Sequence, residues 1–166
     1  IGQVCKEKNL AFHIDGARLF NALVAKKESA LQYGKLFDSI SICLSKGLGA
    51  PVGSLLLGRQ DFIKKARRVR KVFGGGMRQA GSLAAAGLFA LENHVERLQT
   101  DHDHATQLNA MLTTLPFVKE ILPVETNIII AECNNDFDLL GWQSKMKENG
   151  ILFYAISKHK FRLVTH

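Results

Sequence analysis

The sequence predicts an α/β fold, and three features of its 166 residues support that expectation. Short apolar runs of strand length alternate with segments whose apolar residues recur at helical spacing. Two of the runs end on charged side chains, Asp15 and Lys46, and strand ends are where open α/β sheets place groups that contact ligands. After Pro116 the pattern changes to strands around a single helix. We therefore expect part of a large sheet domain, a long connecting helix and part of a small α/β domain.

The part of the chain before the connecting helix is expected to alternate strands with helices. Leu19, Leu23 and Val24 recur at helical spacing, and Asp61 is expected to cap a basic helix at its N-terminus. In chain order the expected elements are the end of a helix (1–10), a strand (10–15), a helix (16–25), a strand (36–45), a strand between glycines (53–58), the basic helix (62–73) and a glycine loop (74–76) that can approach other backbone or a ligand closely.

The stretch from Met77 to Leu112 is rich in alanine and keeps an apolar periodicity, so it predicts one long helix or two joined helices. Strands are then expected within 118–133, 151–157 and 160–166, with a helix between them that Gly150 ends. From this change of pattern we assign residues 1–112 to the large domain with its connecting helix, and residues 113–166 to the small domain.

The composition excludes several classes of protein. An apolar fraction of 46% is ample for a core, and no run approaches the roughly 18 apolar residues of a transmembrane helix. Cys5, Cys43 and Cys133 are scattered and form no C-x-x-C pair, which argues against a disulfide framework or a zinc site. We expect a cytoplasmic protein, with a mitochondrial location as the alternative. No signal or transit peptide is visible. Since the first residue is Ile1, residues 1–10 resemble the end of a helix and FRLVTH resembles an interrupted strand, we also expect an internal piece of a longer polypeptide.

The net charge of +7 owes much to the stretch KKARRVRK, which holds six basic residues between Lys64 and Lys71. Apolar residues at helical spacing indicate an amphipathic helix with a basic outer face. That face fits a solvated surface, an anionic partner such as a phosphate, a carboxylate or a neighbouring subunit, or RNA. No RRM-like aromatic motif, KH loop or zinc module supports RNA binding. We therefore expect neither a nucleic-acid partner nor a membrane partner.

Three charged residues near strand ends are the candidates for chemistry. Asp15 fits a carboxylate that contacts a ligand, and equally an Asx-turn or N-cap of the helix that follows. Arg18 fits an ion pair with Asp15 or a bidentate contact with an anion. Lys46 must extend to solvent, pair or lose its charge, and in the last case it becomes a nucleophile suited to Schiff-base chemistry. Pyridoxal phosphate needs such a lysine and an acid that keeps its ring nitrogen protonated, so Lys46 and Asp15 are chemically complementary.

Other polar residues are weaker candidates. His13 is expected to be structural, and His102 and His104 lie on opposite sides of a helix, which is poor geometry for a shared metal. We therefore predict no metal site. Asn127 is expected to orient a strand end, and Trp142 to lie in the core of the small domain.

Four segments of the chain resemble the signature segments of the low-specificity L-threonine aldolases. The resemblance covers essentially the whole chain in order. The second and third segments together are very specific, whereas the start of the first is shared with related β-eliminating lyases. The segments are HIDGARLFNA, SICLSKGLGAPVGSLLLG, RKVFGGGMRQAG and FRLVTH. The resemblance implies the aspartate-aminotransferase fold group, fold type I, of pyridoxal phosphate enzymes, with this chain as the C-terminal part.

The resemblance also implies roles for individual residues. Lys46 would be the Schiff-base lysine, and Asp15 would bond the pyridinium nitrogen of the cofactor. Arg18 would be a cofactor-binding residue and, like Arg162, would hold the carboxylate of the substrate. Two further cofactor-binding residues, Lys71 and Arg78, lie in the segment that in this family reaches the active site of a neighbouring subunit, near the cofactor phosphate.

The activity implied is a lyase reaction, the retro-aldol cleavage of L-threonine or L-allo-threonine to glycine and acetaldehyde in a homotetramer with active sites at dimer interfaces. Members of the family carry an N-terminal half that supplies a ring-stacking histidine and most groups that hold the phosphate. We therefore expect activity in the full-length parent rather than in this chain alone. The alternatives are a related β-eliminating lyase, an aldolase that prefers phenylserine-like substrates and, in a different class, a basic nucleic-acid-binding protein.

Overall fold

The computed structural model describes all 166 residues, which form two compact units, Ile1–Leu98 and Gln99–His166. The assignment of 1–112 and 113–166 to two domains stays a prediction. None of the helices combines the length and the apolar character that crossing a membrane would need.

The first unit alternates helices with strands, as the periodicity predicts. Its elements are α1 (Gly2–Glu7), β1 (His13–Gly16), α2 (Leu19–Lys26), α3 (Ala30–Leu36), β2 (Ser39–Cys43), β3 (Ser54–Gly58), α4 (Gln60–Val72) and α5 (Gly81–Asn93).

The three strands of this unit form one sheet in the order β1-β2-β3, with β1 parallel and β3 antiparallel to β2. Ile40 and Ile42 of β2 are buried in a cluster with two leucines of α2. Because side chains alternate along a strand, the serines of β2 lie on the opposite face. Asp15 stands opposite one of them, Ser41, in the register of β1 and β2. On β1 and β2 the sheet therefore separates an apolar face against α2 from a face of polar side chains, which Leu56 continues on β3.

Two local features differ from the sequence-based expectation. The prediction that Asp61 caps the basic helix is wrong, because α4 begins at Gln60 with Arg59 at the N-cap position. Asp61 lies instead in the first turn, where its negative charge interacts favourably with the positive end of the helix dipole. Helix α3 was not expected, and it begins with a capping box in which Ser29 and Gln32 satisfy each other's backbone amides.

The alanine-rich stretch forms two helices, which is one of the two expected arrangements. Helix α5 ends at Asn93, and α6 (Leu98–Thr113) follows after a short corner. The predicted glycine loop precedes α5 and folds back on the end of α4. A Cβ at Gly75 would lie 2.7 Å from Arg70 Cγ, and one at Gly76 would lie 2.8 Å from Lys71 Cδ.

The second unit consists mainly of α6 and an antiparallel sheet in the order β4-β5-β7-β6. Its further elements are β4 (Val118–Ile121), β5 (Ile128–Cys133), α7 (Leu139–Glu148), β6 (Tyr154–Ala155) and β7 (Lys160–Val164). Phe161 is completely buried, and Trp142 packs edge-on against it, as expected of a core residue. Gly150 follows α7 with a φ of +77°, so it ends that helix as predicted.

One carboxylate on the sheet of the second unit carries two ion pairs. Glu132 Oε1 accepts from Lys119 Nζ at 2.6 Å, and its Oε2 lies 2.9 Å from Lys160 Nζ. These hydrogen bonds lower the pKa of Glu132 from 4.5 to about 2 and raise the pKa of Lys119. The pairs join neighbouring strands across the outer surface of the sheet.

Candidate active site

The parallel pair β1 and β2 places two of the predicted site residues at one edge of the first sheet. Parallel strands bring their C-terminal ends to the same edge, which is where α/β sheets bind ligands. Asp15 lies next to the end of β1, and Lys46 lies in the loop that follows β2. This edge is therefore the candidate active site.

Asp15 is exposed and is held by two hydrogen bonds to Oδ1. The amide of Ala17 donates to it at 3.1 Å, and Ser41 Oγ donates to it at 3.4 Å. The first bond is the Asx-turn that the sequence allowed, and the second ties the carboxylate to the neighbouring strand. These contacts fix the direction of Asp15 while the side chain stays accessible to a ligand.

Gly16, directly after Asp15, lets the two strands approach closely. A Cβ at this position would lie 2.6 Å from the carbonyl oxygen of Ser41 and 3.1 Å from Leu19 Cβ. Real Cβ atoms essentially never come as close as the first of these distances. The absence of a side chain at this position is therefore a requirement of the strand pair that carries Asp15.

Arg18 follows at the N-cap position of α2 and is half-buried. Its Nε is buried and has no hydrogen-bond partner. A buried donor without a partner is costly, and an arginine normally satisfies its planar fork with a carboxylate or a phosphate. The guanidinium is thus suited to an anionic ligand.

Lys46 lies three residues beyond the last residue of β2, because that strand ends at Cys43 rather than at the predicted Ser45. The side chain is half-buried. The amide of Gly49 donates to the carbonyl of Lys46 at 2.8 Å, and Gly49 has a φ of +70°, which favours glycine. A second bond, from Ala50 N to Leu44 O at 3.0 Å, closes the loop. Lys46 therefore extends from an ordered turn.

Two residues that the sequence did not single out contact this turn. Arg97 Nη2 donates to the carbonyl of Gly47 at 3.1 Å, and His94 Nδ1 lies 2.6 Å from the carbonyl oxygen of Leu48. Both belong to the corner between α5 and α6. They are 50 and 46 residues away from their partners, so no local pattern in the sequence could have identified them.

The other predicted site residues lie outside this sheet edge. Lys71 is exposed at the end of α4, and Arg78 is exposed after the glycine loop. Arg162 lies on β7 in the second unit, with its Cζ 5.4 Å from the ring centre of Tyr154 and its Nε buried without a partner. In the same unit, the fully buried Asn127 donates to the carbonyl of Thr165 at 3.0 Å, so it holds the end of β7 as expected of a residue that orients a strand.

The cavities near the sheet edge are either very small or open. A cavity of about 10 Å³ lies beside Arg18, bounded by Gly47 and Leu48. A groove of about 430 Å³ runs between the polar face of the sheet, at Ser41, and the basic helix, at Arg67. Ligand pockets usually measure about 300 Å³ or more and bury most of the ligand. The small cavity is far below that size, so a cofactor at Lys46 would need walls from further residues.

Comparison with known proteins gives the family of the chain. The family model for beta-eliminating lyases matches residues 1–136. The low specificity L-threonine aldolase of Escherichia coli O157:H7 is 45% identical over 161 residues, which are 97% of this chain and 47% of that protein. Low-specificity L-threonine aldolase 1 of Arabidopsis thaliana is 42% identical over 169 residues, 100% of this chain and 47% of that protein.

A solved structure shows the same fold. The threonine aldolase of Leishmania major matches with a TM-score of 0.77 and 23% identity, over 99% of this chain and 48% of that one. The predicted fold class is confirmed, because the α/β chain matches about half of a threonine aldolase fold. The chain spans about half the length of the curated relatives it matches.

Proposed function

Since the chain belongs to the beta-eliminating lyase family, we propose that it is part of a pyridoxal phosphate-dependent threonine aldolase. The reaction is the cleavage of L-threonine or L-allo-threonine to glycine and acetaldehyde. One observation carries the proposal: Lys46 follows the strand that pairs in parallel with the Asp15 strand. The curated relatives, which are named low-specificity L-threonine aldolases, support the choice of substrate.

The residues at the sheet edge fit pyridoxal phosphate by their chemistry. The primary amine of Lys46 suits the aldehyde of the cofactor, and the carboxylate of Asp15 suits its protonated ring nitrogen. The buried Nε of Arg18 has no hydrogen-bond partner, which supports a role for this guanidinium in binding an anionic group. When bound, the cofactor supplies an acceptor for the electron pair released at Cα.

The roles proposed for the residues of this chain follow from those properties. Lys46 Nζ would hold the cofactor covalently. Asp15 keeps a proton on the ring nitrogen. Arg18 and Arg162 are each proposed as ligands of the substrate carboxylate. Lys71 and Arg78 are proposed to serve a cofactor phosphate or an active site in a neighbouring subunit of a homotetramer.

The atoms of the proposed reaction balance without an oxidant or a reductant. A base takes the proton of the β-hydroxyl group, the Cα–Cβ bond breaks, and acetaldehyde leaves. The electron pair of that bond stays with Cα, which then takes up one proton to give glycine. Orientation of the substrate carboxylate by an arginine would determine which bond to Cα is broken.

The test is substitution of Lys46 in the full-length protein. Borohydride reduction in the presence of pyridoxal phosphate should attach the cofactor to the peptide that contains Lys46, as measured by mass spectrometry. The Lys46→Ala variant should lose both this attachment and the release of acetaldehyde from threonine. Lys35→Ala, a change of an exposed lysine in α3, should retain both. Covalent attachment that persists in Lys46→Ala would refute the assignment.

A β-elimination reaction is the second candidate, and the name of the matching family model favours it. Elimination from an amino acid with a leaving group at Cβ yields a keto acid and ammonia rather than glycine and an aldehyde. Product analysis with threonine therefore separates the two reactions. Glycine and acetaldehyde in equal amounts support the aldolase, and ammonia with a keto acid supports elimination.

A further inference from the structure

We infer that His94 and Arg97 are positioning residues for Lys46, because they bind the carbonyls of Leu48 and Gly47, the two residues that directly follow it. The inference rests on the proposed function, in which Lys46 Nζ is the point of covalent attachment. Neither residue is inferred to touch substrate or cofactor. Their effect on the reaction is exerted through the turn that carries Lys46.

The two hydrogen bonds have a clear direction. A carbonyl oxygen only accepts, so the short contact of His94 Nδ1 with Leu48 O requires the hydrogen on Nδ1. The bond from the guanidinium of Arg97 to Gly47 O is charge-assisted, and such a bond is stronger than one between neutral groups. Both donors come from the corner that joins α5 to α6, defined by residues 93–98 and called the helix corner below.

These bonds complete the hydrogen bonding of the turn. The carbonyls of Lys46, Gly47 and Leu48 accept in succession from Gly49 N, from Arg97 and from His94. Rotation of any of these three peptide groups would break a bond. The Cα of Lys46 therefore has a fixed position and direction, and only its four-carbon side chain remains to be ordered.

Packing matches the helix corner to this turn. Leu48 is 3% exposed and lies in a core cluster with Leu98 of the corner. A Cβ at position 47 would lie 2.9 Å from Leu98 Cδ2 and 3.2 Å from Asn21 Oδ1. A side chain at this position would require the end of Leu98 to shift. Leu98 of the helix corner therefore packs directly against the turn that carries Lys46.

The contribution of Arg97 to folding should be small relative to its effect on Lys46. The residue is exposed and its bond to the carbonyl of Gly47 is partly buried, so its replacement removes little buried apolar surface. Displacement of a reacting group by about 1 Å can cost about 100-fold in rate. We therefore expect Arg97→Met, which keeps the apolar stem, to fold and to lower kcat about 10- to 100-fold with little change in KM.

The experiment uses the full-length holoenzyme and three variants of arginine. Arg97→Met is compared with Arg97→Lys, which restores a charged donor, and with Arg59→Met, which removes an exposed arginine paired only with Asp61. We expect hydrogen–deuterium exchange of the Gly49 amide to accelerate in Arg97→Met, to recover in part in Arg97→Lys, and to match the wild type in Arg59→Met. An unchanged kcat in Arg97→Met with a lowered melting temperature would show a merely structural role and overturn the inference.

A parallel pair of variants tests His94. His94→Asn keeps an amide donor near the position of Nδ1, whereas His94→Phe keeps a ring and removes the donor. We expect kcat to fall in the phenylalanine variant and to be largely retained in the asparagine variant. Equal activities of the two variants would overturn the part assigned to this hydrogen bond.

Attachment of pyridoxal phosphate distinguishes failure of this inference from failure of the proposed function. If borohydride traps no cofactor on wild-type Lys46, the proposed function is wrong. If the wild type is trapped, Arg97→Met should be trapped more slowly at limiting cofactor concentration. Equal trapping rates, together with equal exchange at Gly49, would refute the positioning role while leaving the proposed function intact.

Discussion

Replacement of Gly16 by alanine tests whether the close approach of β1 and β2 determines the stability of the first unit. The added Cβ would meet the carbonyl oxygen of Ser41 at 2.6 Å. That oxygen belongs to the backbone of β2, so it cannot rotate away as the end of a flexible side chain could. Relief requires the two strands to separate, and overpacking of this kind costs about 1–3 kcal/mol.

A matched control has the opposite expected sign. Gly34 lies inside α3, and a Cβ there would meet nothing within 4 Å. Alanine is favoured over glycine in a helix by about 0.5–1 kcal/mol. The same chemical change should therefore destabilise the chain at Gly16 and stabilise it at Gly34.

Urea unfolding followed by far-UV circular dichroism measures both variants. With a dependence on urea of about 1–3 kcal/mol per molar, Gly16→Ala should lower the midpoint by about 1 M, and Gly34→Ala should raise it slightly. A midpoint for Gly16→Ala equal to or above that of the wild type would refute the argument from strand spacing. A loss of stability in Gly34→Ala would show that the glycine in α3 has a role beyond its helix.

Three further predictions concern the second unit. The lysine partners of Glu132 lower its pKa to about 2, so their stabilisation is complete above pH 4.5 and is lost as the pH falls toward 2. In Glu132→Gln the melting temperature should depend less on pH in that range. An unchanged dependence would contradict the stabilising role of Glu132. Burial lowers the pKa of His102, so stability should fall as the pH drops below 6.5. His102→Gln should reduce that slope, and an equal slope would exclude His102 as its source. Phe161→Ala should cost about 3–5 kcal/mol, whereas Phe73→Ala, at an 85% exposed position, should change unfolding by less than about 0.5 kcal/mol; similar losses would contradict the core assignment.

The order of helices and strands could be predicted because each depends on local spacing. The apolar run that contains Ile40 and Ile42 predicts β2, and both residues are buried in the structure. Gly150 predicts the end of α7, and its φ of +77° is one that favours glycine. The sequence-based expectation differs from the structure at the N-terminus of α4 and in the absence of α3. Asp61 has the residue type of an N-cap but lies two residues after the N-cap position, and the Ser29–Gln32 capping box is a recognisable signal for α3.

Some features of the candidate site could also be predicted from the sequence, whereas others are visible only in the structure. Lys46 and Asp15 could be singled out because their chemistry demands particular residue types at strand ends, and few alternatives fit. Their assigned roles remain predictions, as do those of Arg18 and Arg162. The structure adds that the nitrogens of both arginines include a buried Nε without a partner, a property that depends on three-dimensional surroundings and has no signature in the sequence.

Residues that position a reactive group are harder to recognise than the group itself, because their task sets few chemical requirements. Any side chain with a donor at the right place can bind a carbonyl, so neither His94 nor Arg97 differs in type from an ordinary surface residue. They cannot be recognised from local sequence, because 46 and 50 residues separate the donors from their acceptors. On the other side of the contact, a side chain at Gly47 would require the end of Leu98 to shift. A glycine beside a reactive lysine therefore indicates that another segment approaches at that point, and the structure is needed to say which one.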